Sequence, residues 1–344
     1  MKENSNEILN VLFSSNDDFC PYLGVSLYSF LKHNYDEFEK INVFIFDDNI
    51  GNANKEKLDL ISSQFNQELT FINVSDIESK FENKLNSMEK EGVSSLTTYN
   101  RLFASSILKD IDKLLYLDAD SLILGSFKPL WDIDMGNNYI GAVEDLLSID
   151  VIKQNIGMDL SQGYINAGFL LINLKKWREI NIEEKFLDFQ RKTHDKFIFH
   201  DQGIINGVCK GNILYLHPKY NLISIFHGIE YEKVIKLGGL ASYYDKETIE
   251  EAQENPVFVH FSGGDLNRPW FNKDQPYHNL YYEYVNETPF KDQINPKKLP
   301  ISGVLFYKFY QSRFLSILLK FVPMGLAVKI ANKRVDNQCK AMLK

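Results

Sequence analysis

The chain has 344 residues, 44% apolar and 13% aromatic, enough for one large α/β domain with an appendage or two modest domains, and too apolar for global disorder. Its three cysteines, Cys20, Cys209 and Cys339, are widely spaced and form no CxxC, which argues against a disulfide framework or zinc site and fits a reducing compartment. Of the net charge of −8, residues 301–344 contribute +7 (eight Lys/Arg against Asp336), so residues 1–300 carry −15, and an acidic body does not suit nucleic acid.

The opening text "MKENSNEILNVLF" has acids and amides where a signal peptide needs an apolar core, so mature protein is expected. No window approaches the roughly 18 uninterrupted apolar residues of a membrane span. In chain order, "ILNVLFSS" predicts a strand, "SSNDD" a polar loop and "YLGVSLYSFLKHN" a helix. "KINVFIFDDNI" predicts a second strand ending in acids, "KEKLDLISSQF" a helix and "ELTFINVSD" a third strand. A polar insert follows, then "TTYNRLFASSIL", apolar at helical spacing, and the strand "DKLLYLDADSLIL". "GYINAGFLLINLKKW" reads as a buried strand, "DQGIINGVCKG" as a helix stopping near Gly211, and "NPVFVHFSGG" as a strand running into a glycine loop. This alternation implies an α/β fold with a mostly parallel sheet and helices on both faces. Pro269 and Pro276 mark a boundary, predicting a domain over 1–275 and an aromatic, basic helical segment over 276–344.

Asp118 and Asp120 follow Leu114–Leu117, an unbroken apolar run expected of a strand buried on both faces. Strand carboxyl ends are where such sheets bind ligands. On a regular strand the two carboxylates share a side and could hold one hard divalent cation; alternatively, both cap a turn. His260 ends another strand and offers a third donor. A lone His is more often a satisfied core residue, but two carboxylates and an imidazole suit Mn²⁺, with positions left for phosphate oxygens. Gly263, Gly264 and Arg268 could cradle a diphosphate or form a plain turn. Asn16 and Asp18 could read the edges of a flat heterocycle or shape their loop. Together these strand ends converge on a nucleotide diphosphate with a metal on its phosphates.

With these residues in hand, the chain resembles glycosyltransferase family 8, the group of glycogenin and the bacterial lipopolysaccharide galactosyl- and glucosyltransferases. The likeness runs over about residues 8–275 through "NVLFSSNDDFCPYLGVSLYSFLKHN", "TTYNRLFASSIL", "DKLLYLDADSLILGSFKPLWDIDMG", "GAVED", "GYINAGFLLINLKKWRE", "HDQGIINGVCKGNILYL" and "HFSGGDLNRPW". The resemblance implies a GT-A type nucleotide-binding sheet. It implies a Mn²⁺-dependent, retaining enzyme, with Mg²⁺ as the alternative ion, that moves galactose or glucose from a UDP-sugar to an oligosaccharide or lipid-linked glycan. By position, Asp118, Asp120 and His260 resemble the metal ligands, and Ser14, Asn16 and Asp18 fall on the uridine loop. Gly263 and Arg268 match the diphosphate loop. Arg101, Asp145, Asn166, Asp201 and Gln202 match positions around the transferred sugar, with Gln202, Asp201 and Asp145 the candidate catalytic residues. The chain departs from the family pattern in having Arg268 where Lys is common, with two additional residues after His260. It also has Asn16 where Asp is frequent, and Gly203 where some relatives carry an acid. The other reading is a non-catalytic or hydrolytic nucleotide-sugar-binding protein of the same fold.

In the tail, Phe306, Tyr310, Phe314 and Leu318 recur at about helical spacing with Lys308 and Arg313 between them. This predicts a helix, ended by Pro323, that either lies in an anionic membrane interface or packs on the catalytic domain. The expected setting is cytoplasmic, and peripheral on the inner face of the membrane where the tail takes the first of these two places.

Overall fold

The computed structural model describes residues 7–75, 96–146, 149–193, 200–240, 243–294, 296 and 299–342. The polar insert after the third strand and the side chains of Cys339, Lys340 and Lys344 lie outside them. Among the described residues, apolar runs become ten strands: β1 (Ile8–Asn16), β2 (Lys40–Asp48), β3 (Leu69–Asn73), β4 (Lys113–Leu117), β5 (Ser121–Ile123), β6 (Ile140–Ala142), β7 (Phe169–Asn173), β8 (Ile213–Tyr215), β9 (Leu222–Ile223) and β10 (Phe258–His260). Seven form one sheet in the order β3-β2-β1-β4-β7-β6-β8. The strands are parallel except for β7, which runs against both neighbours. The expected mostly parallel α/β architecture is therefore present.

Alternation along the strands builds a core on each face. Leu12, Leu114, Tyr116, Leu170 and Ile172 enter one core. Val11, Phe13, Leu115, Leu117, Phe169 and Leu171 enter the other. Because β7 is reversed, its beginning lies at the same edge as the end of β4. Leu117 pairs with Phe169, and the Asp118 N–H reaches the Gly168 carbonyl at 2.8 Å.

The structure decides two points that the sequence left open. "VFVHF" stays outside the main sheet: β10 pairs with β5 and β9 in a separate sheet of three strands, with His260 opposite Ser121. Asp118 and Asp120 lie in the turn between β4 and β5, as in the alternative arrangement. Two expectations are corrected. Leu96–Phe103 is a 3₁₀ helix, with α-helix only over Ala104–Ile107. Tyr99 to Phe103 are all buried, so packing on every side rather than helical propensity sets their backbone. The tail is not one helix up to Pro323. It breaks at Ser312, whose extended backbone and hydroxyl cap the start of Arg313–Lys320.

The helix Cys20–Asn34 carries an unexpected polar strip that supports the small sheet. Ser26 and Ser121 share a hydroxyl hydrogen bond of 2.7 Å, Ser29 Oγ accepts from the Ile123 N–H at 3.0 Å, and Asn34 Oδ1 accepts from the Phe127 N–H at 2.8 Å. The edge of β5 that faces away from β10 thus has its buried Ile123 N–H met by a side chain rather than by a further strand.

The tail helices, Ile301–Gln311, Arg313–Lys320 and Met324–Met342, rest on the helix Tyr231–Gly238. Lys233 Nζ donates to the carbonyls of Tyr310 and Ser312 at 3.2 and 3.0 Å, and Lys236 Nζ to that of Leu319 at 2.6 Å. Both lysines hold last-turn carbonyls, where a cation also meets the negative end of a helix dipole. Among the described residues no single helix is long and apolar enough to cross a membrane, and Arg313–Lys320 and Met324–Asn337 meet at a bend of 113°.

Asn34→Ala leaves the buried Phe127 N–H without its acceptor. Urea unfolding is expected to show a loss of roughly 1–3 kcal/mol; no loss would mean that another group takes over that donor.

Candidate active site

The turn after β4 brings Asp118 and Asp120 to the sheet edge, and β10 delivers His260 beside them. One ligand atom from each lies within 4.8 Å of the others. His260 Nε2 is 3.4 Å from Asp120 Oδ1 and 3.7 Å from Asp118 Oδ2. Packing between the two sheets requires a glycine here. A Cβ on Gly168 would come within 2.2 Å of His260 Cε1 and 2.8 Å of Asp118 Oδ2. Two hard carboxylates and one imidazole, converging from separate elements, form a donor set that fits a divalent cation.

Charge compensation explains how acids sit in this apolar setting. Arg101, 5% exposed, reaches Asp118 Oδ1 through Nη1 at 3.2 Å and Asp201 Oδ2 through Nε at 3.1 Å. It also donates to the Ala167 carbonyl at 2.8 Å and lies 4.1 Å from the centre of the Tyr116 ring. Burial opposes its charge, but Asp201, Tyr116 and Asp118 hold it protonated above its ordinary range. Burial pushes the Asp201 carboxyl up to about 6, with Arg101 pulling the other way. On the second carboxylate, Arg268 Nη2 stands 3.4 Å from Asp120 Oδ2. His260 is also buried; burial disfavours its cation, yet its hydrogen bond and charge interaction with Asp120 raise its pKa. Proton and metal ion would compete for that imidazole.

Behind the acids lies a neutral amide network. His260 Nδ1 meets Asn221 Oδ1 at 3.1 Å, Asn221 Nδ2 donates to Asn166 Oδ1 at 2.9 Å, and Asn166 Nδ2 donates to Asp145 Oδ2 at 2.6 Å. Gln202 joins it, accepting the Ala167 N–H at 3.0 Å and donating to Asp145 Oδ2 at 3.4 Å. Asn206, on the same helix as Gln202, accepts from the Ile165 N–H at 2.7 Å and donates to the Ile165 carbonyl at 2.9 Å. This pins the loop that carries Asn166, Ala167 and Gly168.

The first loop is partly a turn-former and partly open. Asn16 Oδ1 accepts the Phe19 N–H at 2.9 Å, whereas Asp18 is exposed. Asp17 holds the loop through the Gly51 N–H at 2.7 Å and Asn54 Nδ2 at 2.8 Å. Ser14 Oγ is buried without a hydrogen-bond partner among the described residues. In the far loop, Gly263 has φ of 91°, a conformation that favours glycine, and a Cβ there would also meet Asn267 at 2.8 Å. Arg268 lies over the rings of Phe19 and Trp270, its Cζ 5.6 and 5.7 Å from their centres.

The structure thus brings together Arg101, Asp118, Asp120, Asp145, Asn166, Asp201, Gln202, His260 and Arg268 through the contacts given. Sequence reasoning missed Tyr116, Gly168, Asn206 and Asn221. Tyr116, whose hydroxyl donates to Asp118 Oδ1 at 2.7 Å, was accessible from strand periodicity, two residues before Asp118. Asn221 stands in no motif, and only the pairing of β9 with β10 brings it to His260.

The model of the family described as "Glycosyl transferase family 8" matches residues 10–274. A putative glycosyltransferase of Haemophilus influenzae is 36% identical over 219 residues, covering 62% of this chain and 63% of that protein, so the match spans less than two thirds of the relative. General stress protein A of Bacillus subtilis is 28% identical over 84% of this chain and 97% of its own length. A lipopolysaccharide 1,2-glucosyltransferase of Escherichia coli is 26% identical over 84% of this chain and 81% of its own. Among solved structures, the galactosyltransferase LgtC in complex with donor and acceptor sugar analogues superposes with a TM-score of 0.66 at 26% identity, covering 86% of this chain and 98% of LgtC. The architecture is accordingly of the GT-A type, and the chain belongs to glycosyl transferase family 8.

Proposed function

We propose that this glycosyltransferase moves galactose or glucose from a UDP-sugar to a glycan or lipid-linked acceptor, with retained anomeric configuration and with Mn²⁺ or Mg²⁺ held by Asp118, Asp120 and His260. The observation that carries the reading is the meeting of these three donors within 4.8 Å at a sheet edge that Arg268 also reaches. A cation bound there would supply charge neutralisation to a departing diphosphate. Arg268 Nε is buried and without a partner among the described residues, a donor suited to a phosphate oxygen. Gly263 belongs to the same diphosphate loop, while Ser14, Asn16 and Asp18 take the uridine.

Arg101, Asp145, Asn166, Asp201 and Gln202 surround the sugar in this reading. Retaining glycosidases use a carboxylate nucleophile. Here Gln202 is an amide with both ends engaged, and Asp201 is tied to Arg101. These ties favour front-face substitution. The acceptor hydroxyl oxygen bonds to the anomeric carbon on the side from which the diphosphate leaves, and its proton passes to the departing phosphate oxygen. Gln202 and Asp201 steady the positive charge that develops on the sugar.

The catalytic domain is read as residues 1–275 and the tail as 276–344. Ten of the fourteen exposed large hydrophobic side chains among the described residues belong to the tail, from Ile301 to Ile330, so most of the exposed apolar surface sits beside its cations. A peripheral contact with an anionic inner membrane leaflet follows from burial and charge together.

Incubated with a panel of UDP-sugars and Mn²⁺, the protein is expected to release UDP from a hexose donor, and Asp118→Ala to lower that rate about 100-fold or more without loss of helical circular dichroism. Undiminished release after chelation would overturn the metal assignment. Mass spectrometry of Gln202→Glu with donor should find no glycosyl adduct on Asp145 or Asp201; an adduct on either establishes double displacement instead. In flotation with anionic vesicles, Phe314→Ser combined with Phe321→Ser should reduce the bound fraction severalfold, and equal flotation of variant and parent would refute tail anchoring.

A further inference from the structure

Beside the site lies a cavity of about 460 Å³, within the roughly 300–1,000 Å³ range of small-molecule sites. One wall is the loop Gly264–Asn267, a second the segment Ser224–Ile229, and the third the inner face of the helix Ile301–Gln311. Asp265 is the one charged residue among those lining it, and its side chain is half exposed to solvent. His227 offers no free polar atom, because Nε2 meets the Leu222 carbonyl at 2.9 Å and Nδ1 meets Gln275 Nε2 at 2.7 Å. A cavity without a cation is unsuited to phosphate or to an acidic glycan. Its lining of Leu266, Phe306 and Tyr307 suits hydrocarbon. Tyr310, whose Oη is buried with no hydrogen-bond partner among the described residues, also lines the cavity.

Two connections say what enters. Phe306 lines the cavity and is 64% exposed, and it stands beside the outward-facing Ile301, Leu305 and Phe309. The apolar lining therefore continues onto the exposed face of the helix. On the other side, Ser224 Oγ donates to the His260 carbonyl at 3.0 Å, and the Gly264–Asn267 wall leads directly to Arg268. The cavity and the candidate active site share these walls.

We propose that this cavity holds the hydrocarbon segment of a lipid-linked acceptor. The inference rests on the glycosyltransferase reading and names its acceptor class. The chain enters from the exposed tail face past Phe306, and the shared wall sets the sugar head toward the candidate active site. Gly303 keeps the cavity open: a Cβ there would stand 3.5 Å from the Leu266 side chain, so a larger residue would project toward that wall.

The test is calorimetry on the full chain with n-octyl β-D-glucoside, below its micelle concentration, against methyl β-D-glucoside. Each buried methylene is worth about a fourfold gain in affinity, so the octyl compound should bind saturably, one per chain, at least about 50-fold more tightly. Gly303→Phe, and independently Leu266→Phe should the first variant not fold, should remove at least about tenfold of that gain. Equal binding of the two glucosides overturns the proposal. So does octyl binding that is unsaturable or unchanged in a folded variant, because the exposed helices would then be taking up the chain. The measurement uses no donor and no turnover. Absence of UDP release from every UDP-sugar would fault the glycosyltransferase reading instead, and the chain-length result would still stand.

Discussion

One buried guanidinium underlies the arrangement of the site. Arg101 is packed into the interior against Tyr116 and answers two carboxylates, Asp118 at the end of β4 and Asp201 on the helix His200–Cys209. Removing one partner of such a group leaves a charge buried and unpaired, which costs about 3–5 kcal/mol. The pairing ties the end of a central strand to a helix far along the chain. It also answers why an apolar strand can run out into two aspartates: Asp118 is met by Arg101, and Asp120 by His260 and Arg268. A divalent ion drawn by these acids would share them with the protein's own cations and compete with a proton on His260.

Around this charged centre the protein uses amides. Asn166, Asn221, Gln202 and Asn206 link His260, Asp145 and the Ile165–Gly168 backbone through bonds of 2.6 to 3.4 Å. A satisfied buried network of this kind fixes geometry without adding charge. Gly168 plays the complementary part by leaving space, since any side chain would displace His260 from the two acids. Local order at the site therefore comes from the reversed strand β7, whose start carries this loop to the end of β4.

The tail extends the same logic outward. Lys233 and Lys236 hold the ends of two tail helices against the body, so the apolar helix Ile301–Gln311 has an inner face over a cavity and an outer face in solvent. In the proposed reading, the outer face meets a second apolar phase, and the placement of this helix against the loop before Arg268 joins acceptor delivery to donor binding.

The sequence by itself located β1, β2, β3, β4, β7 and β10, the buried character of β4 and β7, the family, and residue types gathered at the candidate site: Asp118, Asp120, His260, Gln202 and Arg268 stand in local motifs that short-range pattern reveals. It also located the basic, aromatic tail. The short strands β6, β8 and β9 emerged only in the packed chain. Tertiary structure alone decided that β10 belongs to a second sheet, that the tail breaks at Ser312, and that Arg101 bridges two acids. It alone brought Asn221 and Asn206 into the site and required glycine at position 168. The reason is physical: strand and helix periodicity depend on neighbours a few residues away. Ion pairing, amide bridging and the space denied to a Cβ depend on groups 39 to 100 residues apart, as with Asn221 and His260 or Arg101 and Asp201, and only the packed chain brings these within bonding distance.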